Sequence, residues 1–259
     1  MSESFYLFLN SKDVNFGTSA NFQVDFQQSG IKFSDGEIAI GLDYVVFPNL
    51  IYPIRSGKSN KLTFNEGGSD LVATIDEGYY DSSSFPIALK TALDNAGANT
   101  YTVSISSTTN KITISATGNF SMKFGTTTQT SPYMWKILGF NYDSTTSSAA
   151  SHTGTMPIRL DGEEYYCLNI ENLPSSNISS SFSQRGIMGI IPLKSAYGDI
   201  IFHQFNEKNN LVLASMNDIK FLRVRITDPD GVDIPLPDNG EVMISLRIIS
   251  TQVKYNGQT

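Results

Sequence analysis

The chain has 259 residues, one cysteine, two histidines and a formal net charge of -7, long enough to bury roughly 70 to 75% of its unfolded surface without staples. One cysteine excludes an internal disulfide framework, and thinly scattered Lys and Arg exclude a genome-coating protein held by phosphate contacts. No run of about 18 apolar residues and no basic leader with a small-residue cleavage site occurs, so neither a membrane span nor a signal peptide is expected and the chain reads as soluble.

Period-two alternation of apolar and polar residues dominates, and helical periodicity appears only twice, so the chain reads as mainly β. Phe5, Leu7 and Leu9 make a first stripe. Phe22, Val24 and Phe26 alternate with Gln23 and Asp25 in a second strand. Ile38, Ile40 and Leu42 begin a long third strand that continues through Tyr44 and Val46 until Pro48-Asn49 ends it.

The texture changes near Gly57. Strands are expected around Leu62 and Phe64 and from Leu71 to Ile75. A helix then follows, capped by Ser83 or Ser84, with Pro86 in its first turn, Ile87, Leu89 and Leu93 on one face, and its end near Gly97. Tyr101, Val103 and Ile105 pair with Ile112 and Ile114 in a hairpin, Phe120, Met122 and Phe124 form one more strand, and Pro132 opens a short helix that stops at Gly139. The stretch 57–147 thus reads as an inserted α+β subdomain, and Ser144 to Thr155, with His152, as a low-complexity loop or linker.

Alternation returns at Tyr166, Leu168 and Ile170. It recurs at Ile187 to Leu193, at Ile200, Phe202 and Phe205, at Leu211 and Leu213, at Leu222, Val224 and Ile226, and at Val242 to Ile248. Asp228-Pro229-Asp230-Gly231 reads as a tight turn. These six strands with the second and third make eight, which fit a two-sheet jelly roll better than a sequentially paired barrel. The expected fold is therefore all-β: a single eight-stranded jelly roll over 1–56 and 148–259, with the α+β insertion between its early strands.

Three features in order resemble the penton, or minor capsid, proteins of the adenovirus-like double-jelly-roll virus lineage, especially its virophage and Polinton-like members. The first is Phe5-Tyr6-Leu7-Phe8-Leu9-Asn10-Ser11 followed by Phe22-Gln23-Val24-Asp25-Phe26. The second is the insertion with Glu77-Gly78-Tyr79-Tyr80, its helix and Ile137-Leu138-Gly139-Phe140. The third is the ending, Ile219 to Asp228, Gly231 and Val242 to Ile248. The resemblance implies a structural protein of the virion, assembled inside the host cell as a homopentamer at the five-fold vertex. Major capsid protein trimers would be its neighbours, with Met1 to Phe8 and Thr251 to Thr259 lying against them, and the insertion would be open to a fiber, receptor or glycan. A lineage major capsid protein needs two jelly rolls, for which 259 residues are too few.

No catalytic, cofactor-binding or metal residues are assigned, and the chain is read as no enzyme. His152, His203 and Cys167 lack zinc-ligand spacing. Cys167, opposite the Tyr166, Leu168 and Ile170 stripe, reads as a small packed thiol, and His203 as a surface or interface residue. The acidic turns Asp161-Gly162-Glu163-Glu164 and Asp228-Pro229-Asp230-Gly231 offer oxygen ligands that suit calcium, yet without its twelve-residue loop spacing they read as plain turns. No Gly-x-Ser-x-Gly turn or Gly-rich phosphate loop is present. Tyr44, Phe47, Tyr52, Tyr79, Tyr80, Tyr133, Trp135, Phe140 and Tyr142 lie in or near the insertion, where packing claims most of them and a binding face could claim some, Trp135 above all. The alternative function is a jelly-roll carbohydrate-binding, lectin-like or receptor-attachment module.

Overall fold

A computed structural model of the chain describes residues 3–14, 16–26, 31–32, 37–125, 131–142, 145–173, 187–206, 211–215 and 218–250. The chain divides into two compact units, Met1–Ile51 with Glu163–Thr259, and Tyr52–Gly162. The second is therefore wider at both ends than the 57–147 read from sequence.

The chain begins with β1 (Glu3–Asn10), β2 (Phe16–Thr18), β3 (Asn21–Asp25), β4 (Ile31–Lys32) and β5 (Glu37–Pro48). The second unit holds β6 (Lys61–Asn65), β7 (Asp70–Thr74), α1 (Ser84–Ala96), β8 (Tyr101–Ile105), β9 (Ile112–Lys123), α2 (Met134–Leu138) and β10 (Ala149–Thr153). The first unit resumes with β11 (Tyr165–Ile170), β12 (Ile187–Pro192), β13 (Ile200–Gln204), β14 (Leu211–Ser215), β15 (Asp218–Ile219), β16 (Phe221–Thr227) and β17 (Met243–Ser250).

In the first unit, two antiparallel sheets supply one core. One has the order β1-β17-β5-β13, with β14 also on β5, and the other β12-β11-β16-β3-β2. Successive strands cross between the sheets, β3 to β5, β5 to β11, β12 to β13 and β16 to β17, which is jelly-roll connectivity. The inward residues Leu9, Ile40, Leu42, Ile244 and Leu246 of one sheet join Phe22, Leu168, Leu222, Val224 and Ile226 of the other in a single buried cluster. The second unit enters between β5 and β11.

Three readings of these strands change. The first stripe, set apart from the expected eight, is β1, paired with β17 from Glu3 to Asn10. The segments expected as two strands at 200–205 and 211–213 pair with successive stretches of one strand, β13 with 44–48 and β14 with 37–41 of β5. The third strand does not keep one phase. β17 skips Asp43 of β5, pairing Ser245 with Tyr44 and Leu246 with Leu42. This bulge turns Val45 and Phe47 into the core in place of Tyr44 and Val46. Ser245 Oγ donates to Asp43 Oδ2 at 3.1 Å, and the Phe205 N–H donates to the Asp43 carbonyl at 2.8 Å, so both strands flanking β5 hold the bulge.

The second unit has its own core. Its sheet has the order β10-β9-β6-β7, with β8 also on β9. The expected hairpin forms from β8 and β9, and its second arm runs on through the separate strand at Phe120 as one twelve-residue strand, β9, whose first half pairs with β8 and whose end pairs with β6. α1 buries Phe85, Leu89, Ala92 and Leu93, the i, i+4, i+7, i+8 stripe of a half-buried helix. Ile87 lies about 200° from Leu89 around that helix and is exposed. Its N-terminus is capped by Asp81 rather than by Ser83 or Ser84. Asp81 Oδ1 accepts the N–H groups of both serines, at 2.9 and 2.7 Å, and both hydroxyls. Those bonds, the Ser83 hydroxyl foremost, hold the Asp81 carboxyl far below the usual range.

The segment expected as a linker, 144–155, contains β10. Ser, Thr and Ala carry little apolar signal, but Ser151 Oγ meets Ser115 Oγ at 2.7 Å and Thr153 Oγ1 meets Thr113 Oγ1 at 3.0 Å across the ladder. His152, between them, points inward with Nε2 2.9 Å from the Phe120 carbonyl.

Candidate interaction surface

The residues that could have carried chemistry are absorbed by packing and turns. Cys167 is buried in β11, facing Thr227 and Ile190 across the ladder. His203 takes an inward register position opposite Val45, half-buried, with its ring edge-on to Phe205 at 4.6 Å, so it belongs to the core margin rather than to the surface. Burial, and then the charge of Lys194, lower its pKa. Asp228 is fully buried and caps its own turn: its Oδ1 accepts the N–H groups of Asp230 and Val232, each at 3.0 Å, and Gly231 takes φ 81°. Asp161 pairs with Arg159 at 3.2 Å. Among the described residues no three His, Cys, Asp or Glu side chains gather as a metal site would require, and no helix is long and apolar enough to cross a membrane.

The aromatics near the insertion divide. Phe47 enters the jelly-roll core 6.4 Å from Tyr166, and Phe140 stacks on Phe124 at 5.3 Å. Tyr80 packs edge-on to Phe85 and donates to the Asp76 carbonyl at 2.9 Å. Tyr133 lies under the Lys58 ammonium at 4.8 Å. Trp135 is half-buried and packs against exposed Tyr142 at 5.4 Å, while Tyr52 and Tyr79 are exposed.

The concentrated apolar exposure lies elsewhere, on the outward side of the β1-β17-β5-β13 sheet. Register puts Phe8, Ser245, Tyr44 and Gln204 in one row, and Asn10, Met243, Val46 and Phe202 in the next. Ile200, beside Pro48, extends the surface at one end and Tyr6, beside Arg247, at the other. Phe8, Phe202 and Ile200 are 61, 62 and 59% exposed. Tyr44, turned outward by the bulge, meets Phe202 at 5.8 Å. The sequence carries a signal for this surface. Phe5 to Leu9 is apolar at every position, and a strand with one solvated face should alternate.

The outward side of the other sheet exposes Phe16, Ile190 and Phe221 and carries paired charges beside them. Glu171 pairs with Arg223 at 3.3 Å and Arg225 at 3.6 Å. Asp233 pairs with Arg225 and accepts from Asn21 Nδ2 at 2.8 Å. Its charges are answered within one chain.

No protein-family model and no curated protein matches the chain. Among solved structures, the crystal structure of the mavirus penton protein matches with a TM-score of 0.56 and 13% identity, over 96% of this chain and 100% of that one. Two antiparallel sheets in jelly-roll order, with an α+β unit inserted between β5 and β11, give this chain the fold of the mavirus penton protein over nearly its whole length.

Proposed function

We propose that the chain is a structural capsid protein, the penton that closes the five-fold vertices of an icosahedral virion as a homopentamer among major capsid protein trimers. The observation that carries this reading is the extent of the likeness. It takes in 100% of the mavirus chain and 96% of this one, so the likeness extends beyond the sandwich alone. A single sandwich with one insertion is economical for a vertex, where five heterologous contacts close by rotation. The acidic net charge agrees with a shell component that does not hold the genome. The unit Tyr52–Gly162, with its own core, is read as an inserted domain open to a fiber, receptor or glycan.

The test is the mass of the purified full chain in solution together with electron microscopy of the same sample. Five-membered rings, or the chain found at the five-fold axes of virions, are the expected results. A monomer that binds glycans and is absent from virions would move the assignment to a lectin-like module.

A further inference from the structure

We infer that the outward face of the β1-β17-β5-β13 sheet, centred on Phe8, Tyr44 and Phe202, is one half of the contact that this chain makes with a neighbouring copy of itself. The inference rests on the vertex reading and adds the surface that makes the contact. Its basis is area. The exposed parts of Tyr6, Phe8, Met243, Ile200 and Phe202 together present on the order of 500 Å² of largely apolar surface, taking about 200 Å² for a whole aromatic side chain. A standard protein contact takes about 800 Å² from each partner, of which roughly 57 to 65% is apolar, again near 500 Å². This face therefore carries about the apolar content that one side of a stable contact needs, and it is as large as the largest patches that monomers leave exposed.

Charge selects a second copy as the occupant. Each copy carries -7, so surfaces brought together by self-association must not add carboxylate to carboxylate. The face meets that condition. The two rows at its centre, Phe8-Ser245-Tyr44-Gln204 and Asn10-Met243-Val46-Phe202, hold no Asp or Glu, the adjoining Asp43 is engaged by Ser245 Oγ at 3.1 Å, and Arg247 stands at a register position on the same side. The contact is heterologous in a ring, so the facing surface on the neighbour is a different one. The rings are also held for it: Phe8 and Phe202 stand on paired strands rather than loops, and Tyr44 supports Phe202.

The experiment is sedimentation of the full chain across concentration for the wild type, the double variant Phe8→Glu with Phe202→Glu, and Phe16→Glu. Phe16 is 73% exposed on β2, at the edge of the other sheet, and serves as the matched control. The wild type and the Phe16 variant should associate alike, and the double variant should associate at least about 100-fold more weakly while keeping its circular dichroism and melting temperature. If the double variant assembles like the wild type, the inference fails and the vertex reading stands. If the wild type is monomeric and the double variant only fails to enter capsids, the face belongs to the major capsid protein and the second-copy assignment is overturned. A monomer absent from virions would remove the vertex reading itself. Should the double variant misfold, Phe8→Ser with Phe202→Ser replaces it, with the same expected loss.

Discussion

Replacing Gly189 by Ala tests how tightly the two sheets close on each other. Gly189 lies in β12, and a Cβ there would sit 2.3 Å from Phe205 Cε1 and 2.8 Å from Leu42 Cδ1, on the facing sheet's side of the core. Tolerable contact begins near 3.4 Å, so the ring would have to retreat by about 1 Å. Phe205 is poorly placed to do so. Its N–H is bonded to the Asp43 carbonyl at 2.8 Å and its ring meets His203 at 4.6 Å, so retreat disturbs the bulge of β5 as well. Overpacking of this kind costs about 1–3 kcal/mol, and with an anchored ring we expect about 2 kcal/mol. Two units make a single unfolding free energy ill-defined, so the assay is native-state hydrogen exchange by mass spectrometry. Amides of β5 and β17 should exchange ~30-fold faster while those of β9 keep their rates. Gly68→Ala, which meets nothing within 4 Å, is the neutral control. Protection of β5 and β17 within about 2-fold of wild type would show that the core yields there and refute the reasoning.

The second unit offers the complementary case at Gly139, the left-handed residue that ends α2 at φ 70°, where a Cβ would come 2.2 Å from the backbone carbonyl oxygen of Met156. Gly139→Ala should cost about 3 kcal/mol, seen as faster exchange in β9 and α2 alone, and a cost below about 1 kcal/mol would contradict it. Glu66 accepts the N–H groups of Ala98 and Asn99 and the Tyr101 hydroxyl at 2.8 Å. Burial pushes its pKa up, but these bonds outweigh it and hold the carboxyl below its ordinary value. Its contribution is therefore complete above about pH 4.5 and lost on further acidification, and a Glu66→Gln, Tyr101→Phe double-mutant cycle should return a coupling of about 1 kcal/mol at neutral pH. An additive cycle would break that link. His203 has its pKa lowered, so protons bind the unfolded chain more readily. Stability of the first unit should be complete well above pH ~6.5 and fall below it, and His203→Gln should flatten that slope between about pH 7.5 and 5.5. An unchanged slope would exonerate the imidazole. Finally, exchanging residues 52–162 for a Gly/Ser loop should leave the jelly roll folding cooperatively, since its buried cluster draws on none of them; loss of cooperative melting would count against a true insertion.

Much of the sandwich was legible because its inward stripes are unmixed. Leu222, Val224 and Ile226 alternate with Arg223 and Arg225, and Val242, Ile244, Leu246 and Ile248 keep one phase to full burial. α1 was legible through Pro86 and the Leu89, Leu93 spacing, but its cap was not, because an Asx-type cap from Asp81 and a serine cap look alike in sequence. β10 was invisible for a different reason. Its ladder is held by hydroxyl pairs and one inward histidine, and neither contributes to an apolar pattern. The ion pairs of Glu171 with Arg223 and Arg225 join segments distant in sequence and could not be read from spacing.

The errors of phase are more informative than the omissions, because they fall at one place. Alternation assumes an unbroken pleat, and the extra residue at Asp43 shifts the second half of β5 by one position, exchanging Tyr44 and Val46 for Val45 and Phe47. The neighbouring strand was misread in the same sense. Ile200-Ile201-Phe202 is apolar on both sides, so only its pairing with the shifted half of β5 fixes Ile201 as inward, opposite Phe47, and leaves Ile200 and Phe202 outside. β1 has the same double-sided apolar texture. A core-only reading assigns each such ring inward by default, whereas a chain that needs a second apolar face must break the alternation somewhere. The other sheet breaks phase too, where Met188 of β12 is skipped between the Leu168 and Asn169 pairings, but on the β1-β17-β5-β13 sheet the breaks leave exposed rings in adjoining rows. Rings brought into adjoining rows are what an assembly face written into the strands themselves would produce, and they tie the bulge at Asp43 to the contact proposed for Phe8, Tyr44 and Phe202.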